Sequence, residues 1–317
     1  MSFWQITTTP VHEASIDGPR AWNAASFADP DTWTYRFSPE TLKEMAAAVE
    51  QRTFLLPSLA GDVSRIRTEL TAGRGFVLLR GLPAHQFGEE DLKRLYWTIG
   101  EMLGAPLPQN VKGDMLYSVR DEGQRIERDY GRVGVRFSKT SEGLQFHTDS
   151  APALMGNTPC LIGLLVLRIA QAGGASALVS AASLHNALLK ERPDYLRRLY
   201  QPYHFDRSAE WRPGEPRTLL APVFTFHQSL AVRYFRYYIP KGHELAGALL
   251  EPDEVASFDY MDGVLNRPEL QVRFEMQPGD IQLLDNRAVL HSRTSFTDWE
   301  DIAQKRHLLR LWLGLRD

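Results

Sequence analysis

A single cysteine in 317 residues leaves Cys160 with no partner in its own chain, which excludes an internal disulfide and a cysteine-built zinc cage. A large excess of charge of either sign is missing too. The net charge of −3 supplies no basic field for nucleic acid. Apolar runs such as Cys160 to Leu167 are too short to cross a bilayer. The start, Met1-Ser2-Phe3-Trp4, lacks the basic residues and apolar core of a secretory signal. These absences lead us to expect a cytoplasmic protein with a small-molecule substrate and no membrane or nucleic-acid partner. No Pro/Ser/Gly-rich linker, internal repeat or low-complexity segment divides the chain, and all-β barrels routinely run this long as one unit. One domain over residues 1–317 is therefore expected.

What is present is ample core material, with 43% hydrophobic and 10% aromatic residues. Helical spacing predicts helices over Pro39–Gln51, Asp62–Ala72 and Glu89–Leu103, the first two within a helical N-terminal flank of about residues 1–73. Further helices are expected over Ala181–Tyr200, with Pro193 able to start a second one, and over Asp253–Leu265. Strands are expected over Gly75–Arg80, Asp114–Arg120, Gly143–Asp149, Cys160–Arg168, Ser176–Ser180, Gln271–Met276 and Ile281–Leu290. Val223–Phe226 and Leu230–Tyr237 resemble a hairpin. Cys160, at the head of an apolar strand, reads as an inert core thiol. Tyr203–Arg217, rich in Pro, Gly and charge, reads as a long loop able to act as a lid, with Tyr203, His204 and Arg207 as possible substrate contacts. Many strands with flanking helices argue for a mainly β chain, a double-stranded β-helix or jelly-roll.

The chemistry concentrates in three places. In Leu144-Gln145-Phe146-His147-Thr148-Asp149, an extended chain projects His147 and Asp149 to one face. His291 follows a second strand and can complete a set of two imidazoles and one carboxylate, which leaves metal positions open as in non-heme Fe(II) oxygenases. Arg306 and Arg310, in Arg-His-Leu-Leu-Arg-Leu-Trp-Leu, share a strand face with Leu308 and Trp312. Arginines facing inward on an apolar strand are costly to bury without anions. The same donors also suit a catalytic zinc hydrolase or a catalytically silent sensor of small acids.

Taken together, these motifs resemble the taurine dioxygenase and 2,4-dichlorophenoxyacetate dioxygenase family, the clavaminate-synthase-like Fe(II)- and 2-oxoglutarate-dependent oxygenases. The likeness runs from Gly75-Phe76-Val77-Leu78-Leu79-Arg80-Gly81 to the end, through Phe146–Asp149, Gly173-Gly174-Ala175-Ser176, Asp285-Asn286-Arg287, His291–Thr294 and the arginine strand. It implies that His147, Asp149 and His291 bind Fe(II), with 2-oxoglutarate and O2 as cosubstrates. It further implies that Arg306 pairs with the distal carboxylate of 2-oxoglutarate and that Ser176, where the family more often has threonine, hydrogen-bonds the same molecule. Arg310 matches a second arginine that contacts the acidic group of the substrate, and Gln109 and Asn110 match a region lining the substrate pocket. The implied reaction is oxidation, by default hydroxylation, of a C–H bond in a small carboxylate-bearing metabolite such as an amino acid or derivative, giving succinate and CO2. Desaturation, ring formation and dealkylation stay open, whereas halogenation is disfavoured because Asp149 fills the position a halide would take.

Overall fold

Strand alternation sorts the side chains into layers. In the computed structural model, which describes residues 9–129, 136–153, 158–209 and 211–316, two facing sheets carry the fold. The larger runs β1 (Thr34–Arg36), β2 (Phe76–Arg80), β14 (Ile281–Asp285), β6 (Leu161–Arg168), β17 (His307–Gly314) and β3 (Ala105–Pro106), with β4 (Leu116–Val119) also on β17. Its pairs are antiparallel except β1 with β2. The smaller, antiparallel throughout, runs β13 (Gln271–Phe274), β8 (Ser176–Ser180), β15 (Val289–Arg293) and β5 (Leu144–His147). Three short pairs lie outside these sheets: β7 (Ala172–Gly173) with β16 (Phe296–Thr297), β9 (Pro202–Asp206) with β10 (Thr218–Pro222), and β11 (Phe224–Phe226) with β12 (Leu230–Val232). This is the expected jelly-roll.

On the larger sheet, Leu161 and Leu165 of β6, Ile281 and Leu283 of β14, and Leu309, Leu311 and Leu313 of β17 face α1 (Pro39–Gln51), α2 (Ala60–Thr71) and α3 (Glu89–Leu103). The alternate residues, Ile162, Leu284 and Trp312, meet Leu178, Val272 and Val289 of the smaller sheet. Ala177, Val179 and Leu290 point the other way, against α5 (Ala181–Glu191), α6 (Pro193–Leu199) and α8 (Pro252–Leu265). α4 (Ile126–Asp129) is a single turn, and α7 (Tyr238–Ala246) packs on β9. Local signals set the helix ends. The Ser38 side chain accepts the Thr41 N–H ahead of Pro39, and Pro193 opens α6.

Several expected boundaries shift. The N-terminal flank, whose first eight residues lie outside the described ones, includes β1 as well as helices, because Thr34–Arg36 finds an open edge on β2. Ile281–Leu290 is not one strand: a turn at Asn286–Ala288 carries the chain from the larger sheet to the smaller. Leu230–Tyr237 is strand only to Val232, and α7 follows. The segment 203–217 begins as strand, since Tyr203 and Phe205 alternate inward and β9 pairs with β10, so the loop shortens to 207–217 with Glu210 outside the described residues. Cys160 is half-buried just before β6.

Candidate active site

His147 ends β5, and His291, its direct cross-strand partner, sits in β15. Both project between the sheets, with ring centroids 4.1 Å apart. Asp149 does not arrive by strand alternation, as its spacing predicts, because β5 stops at His147 and Ser150 turns into the left-handed region at φ 58°. Asn286, in the turn between the sheets, holds it instead. The Asn286 Oδ1 accepts the Asp149 N–H at 2.8 Å, and its Nδ2 donates to the Asp149 carbonyl at 3.0 Å. One ligand atom from each of His147, Asp149 and His291 falls within 4.8 Å of the others, and all three residues are buried.

The two carboxylate oxygens of Asp149 have separate surroundings. Oδ1 faces the Nε2 atoms of His147 and His291 at 3.4 and 3.8 Å. Oδ2 accepts the indole N–H of Trp312 at 2.8 Å and lies 3.1 Å from Arg310 Nη1. Burial alone would push the Asp149 carboxyl up, but Arg310 and the two histidines outweigh it and hold the group ionised well below the usual range. Burial, His147 and Arg310 push the His291 imidazole down to about 3, so it is the neutral ligand form. The His147 Nδ1 lies 2.9 Å from the Gln145 carbonyl, which leaves Nε2 for the site. Trp312→Phe removes the indole donor to Asp149 and should lower Fe(II) affinity by about 10- to 100-fold, the usual cost of losing a group that orients a ligand. Isothermal titration with Fe(II) checks this, and unchanged affinity would show that the indole contact is incidental.

Two cavities meet at the triad. One contains Arg306, Ser176, Arg293 and Gln282 together with the triad's inner faces. Arg306 is 5% exposed, and its Nη1 has no hydrogen-bond partner among the described residues. Burial and the nearby Arg293 pull its guanidinium down to about 9, partly offset by Asp298. A buried cation left this way calls for an anion. The glycine pair explains itself here: Gly174, at φ +79°, would place a Cβ 3.3 Å from Arg306 Nε. A metal held by two imidazoles and a carboxylate, with a buried arginine and a serine in the same cavity, fits a bound 2-oxo diacid.

The other cavity is lined by Arg136, Phe137, Ser138, Pro152, Phe235, Tyr238 and Arg310. Arg310 belongs to both and is not free for substrate alone, since it also pairs with Asp149, and its Nε donates to Gln109 Oε1 at 2.8 Å. Gln109 lines neither cavity: it is buried, and its Nε2 donates to the carbonyls of Met115 and Arg310. Asn110 likewise sits outside them, in a turn closed by its own side chain on Lys112, Asp114 and the Asp114 carboxylate. Both border a neighbouring cleft instead. Tyr203 is buried against Phe258, and Arg207 donates to the Pro152 carbonyl, so this part of 203–217 supports the wall from behind. Asn286, Trp312 and Arg136 were not legible as site residues, because an Asn after Asp285 and a Trp in an apolar strand read as turn and core.

Residues 40–312 match the Taurine catabolism dioxygenase TauD, TfdA family. The chain belongs to this family. It is an Fe(II)- and 2-oxoglutarate-dependent dioxygenase. It is 30% identical to FR-33289 synthase of Streptomyces rubellomurinus, over 95% of this chain and 91% of that protein. It is 26% identical to taurine hydroxylase-like protein SAT17 of Stachybotrys chartarum, over 93% and 79% respectively. Among solved structures the fold matches asparagine oxygenase in complex with Fe(II), 2S,3S-3-hydroxyasparagine and succinate, at 18% identity and TM-score 0.66, covering 89% of this chain and 93% of that one. It also matches the non-heme iron oxygenase OrfP in complex with Fe, succinate and (3S)-hydroxy-L-Arg, at 16% identity and TM-score 0.64, covering 89% and 94%. Among the described residues no helix is long and apolar enough to cross a membrane.

Proposed function

We propose that this family member hydroxylates a C–H bond of a small carboxylate-bearing metabolite, an amino acid or a derivative of one, and releases succinate and CO2. The observation that carries the reading is the buried Arg306 Nη1, without a hydrogen-bond partner among the described residues, in the cavity that also holds His147, Asp149 and His291. In this reading the three triad residues hold Fe(II), and Arg306 with Ser176 holds the distal carboxylate of 2-oxoglutarate. Bound iron and 2-oxoglutarate supply the power to oxidise an unactivated C–H bond. The chain's own part is orientation. Arg310 and Trp312 fix which oxygen of Asp149 faces the imidazoles, and the Phe137, Phe235 and Tyr238 side of the site excludes water and presents the substrate. The solved relatives are complexes with 3-hydroxyasparagine and (3S)-hydroxy-L-Arg, amino-acid derivatives of the size this reading asks for. The protein acts as one oxygenase unit in the cytoplasm, on a small molecule and not on nucleic acid or membrane, with the 207–217 loop as a lid.

The test is succinate formation. Protein loaded with Fe(II) and 2-oxoglutarate without oxygen, then exposed to O2 with a panel of carboxylate metabolites, is expected to release succinate above its substrate-free rate with at least one of them. Metal and 2-oxoglutarate binding with no succinate from any of the panel would favour a silent sensor instead.

A further inference from the structure

A glutamine stands where strand alternation calls for an apolar residue. Ile281 and Leu283 of β14 face the helices and Leu284 meets the smaller sheet, so Gln282 shares the inner face with Leu284. It is 2% exposed. Its neighbours in register, Leu78 on β2 and Leu164 on β6, are apolar, as are Leu178 and Val272, the inward residues of the facing sheet. None of these side chains can pair with a carboxamide, and Gln282 Oε1 has no hydrogen-bond partner among the described residues. An unsatisfied buried amide is destabilising, and departures of this kind gather at functional sites.

Gln282 faces the cavity that holds the triad and Arg306. Gln282 Oε1 and Arg306 Nη1 are both buried there without a partner among the described residues, and no hydrogen bond joins the two side chains. Ser176 on β8 and Gln282 on β14 enter the cavity from the two facing sheets, with Arg306 just ahead of β17. Arg293, also in the lining, is turned to the carbonyls of Thr140 and Glu142. A buried carboxylate presents about four lone-pair positions on its two oxygens. The Arg306 fork can fill two of them and the Ser176 hydroxyl a third. One position is left for a neutral donor. A carboxamide can supply it, because a half-turn about its last bond exchanges Oε1 and Nε2.

We infer that Gln282 is a third side chain for the cosubstrate: its carboxamide N–H donates to the distal carboxylate of 2-oxoglutarate beside Arg306 and Ser176. This rests on the placing of that carboxylate proposed above and deepens it. The amide gains its partner only when the diacid is bound, so Gln282 weakens the empty protein and strengthens the loaded one. That opposition sets it apart from a structural glutamine, whose loss would lower stability and leave cosubstrate affinity alone. It also sets it apart from a support for the nearby His291 Nδ1, whose loss would act on the metal.

The experiment compares the full chain as wild type, Gln282→Leu, Gln282→Met and Gln282→Glu, each metal-free and loaded with Fe(II) without oxygen. 2-Oxoglutarate and 2-oxobutyrate are titrated against the loaded forms and followed by the absorption of the iron chelate. Fe(II) affinity and the metal-free melting temperature are measured on the same samples. The leucine and methionine variants should melt no lower than wild type and bind Fe(II) equally. They should bind 2-oxoglutarate about 3- to 10-fold more weakly, the usual cost of one neutral-donor hydrogen bond. Gln282→Glu should be weaker still, because it sets a second carboxylate against the diacid. 2-Oxobutyrate, which chelates through the same 2-oxo acid end and has no distal carboxylate, should bind wild type and the apolar variants alike. Unchanged 2-oxoglutarate affinity in both apolar variants, an equal loss for 2-oxobutyrate, or a matching fall in Fe(II) affinity would each overturn the inference. If Arg306→Ala binds 2-oxoglutarate as wild type does, the placing of the distal carboxylate fails separately, and the Gln282 variants still decide whether the amide touches the cosubstrate.

Discussion

Fe(II) binding is expected to fall by more than about 100-fold in His147→Ala and in His291→Ala, beyond the 10- to 100-fold that follows loss of an orienting partner. Each substitution takes one of three donors from a set whose ligand atoms all lie within 4.8 Å of one another, and no other His, Cys, Asp or Glu among the described residues joins that cluster. Succinate formation should vanish with the metal. The fold should survive, because the backbone pairing of β15 with β8 and the layers on either side do not involve the imidazoles. Metal-free melting temperature and Fe(II) titration on the same samples separate the two effects. Near wild-type affinity and turnover in both variants would remove the triad from consideration, and a collapsed melting temperature would make it a folding element instead.

The second large effect belongs to Arg306. Arg306→Ala should cost about 2 to 5 kcal/mol of 2-oxoglutarate affinity, as expected when a buried carboxylate loses its charge-assisted partner. Ser176→Ala, which removes at most one neutral hydrogen bond from the same cavity, should cost only about 0.5 to 1.5 kcal/mol. Anaerobic titration of the iron-loaded protein with 2-oxoglutarate measures both. The ordering is the sharper test. If Ser176→Ala proves the more damaging, or Arg306→Ala binds as wild type does, the distal carboxylate lies elsewhere and the unpartnered guanidinium needs another anion.

How much could be read beforehand depended on how local each signal was. Pro39–Gln51 and Glu89–Leu103 were legible to the residue, because periodicity and end signals lie within the helix itself. The inward face shared by Arg306, Leu308, Arg310 and Trp312 was legible from strand alternation alone. α7 was not, since Tyr-Ile-Pro-Lys-Gly reads as a turn. Pro240 falls in the first helical turn, where a missing N–H is harmless, and Gly242 is needed because a Cβ there would lie 2.2 Å from the His204 carbonyl. That reason is tertiary and leaves no local trace. Asp149 was found for a reason the fold does not use: its position depends on Asn286, 137 residues away. The partners of Arg310 are hidden similarly. A structural ion pair is open to it beside a substrate contact, but nothing in its own strand reveals that Asp149 and Gln109 close on it.

One strand edge also sets where this chain can change length. Arg306, Arg310 and Trp312 reach the site from β17 and the residue before it, while Leu309, Leu311 and Leu313 between them fill the layer under the helices. An insertion or deletion of one residue between Arg306 and Trp312 would exchange these two sets. Leucines would enter the site and charges would enter the helical layer. The exposed turn at 299–304 just upstream, between Asp298, which accepts the Arg306 N–H, and Lys305, lies outside that alternation and can lengthen without shifting its register. Natural or designed length variation near this end of the molecule should therefore accumulate in the turn and stop abruptly at Arg306.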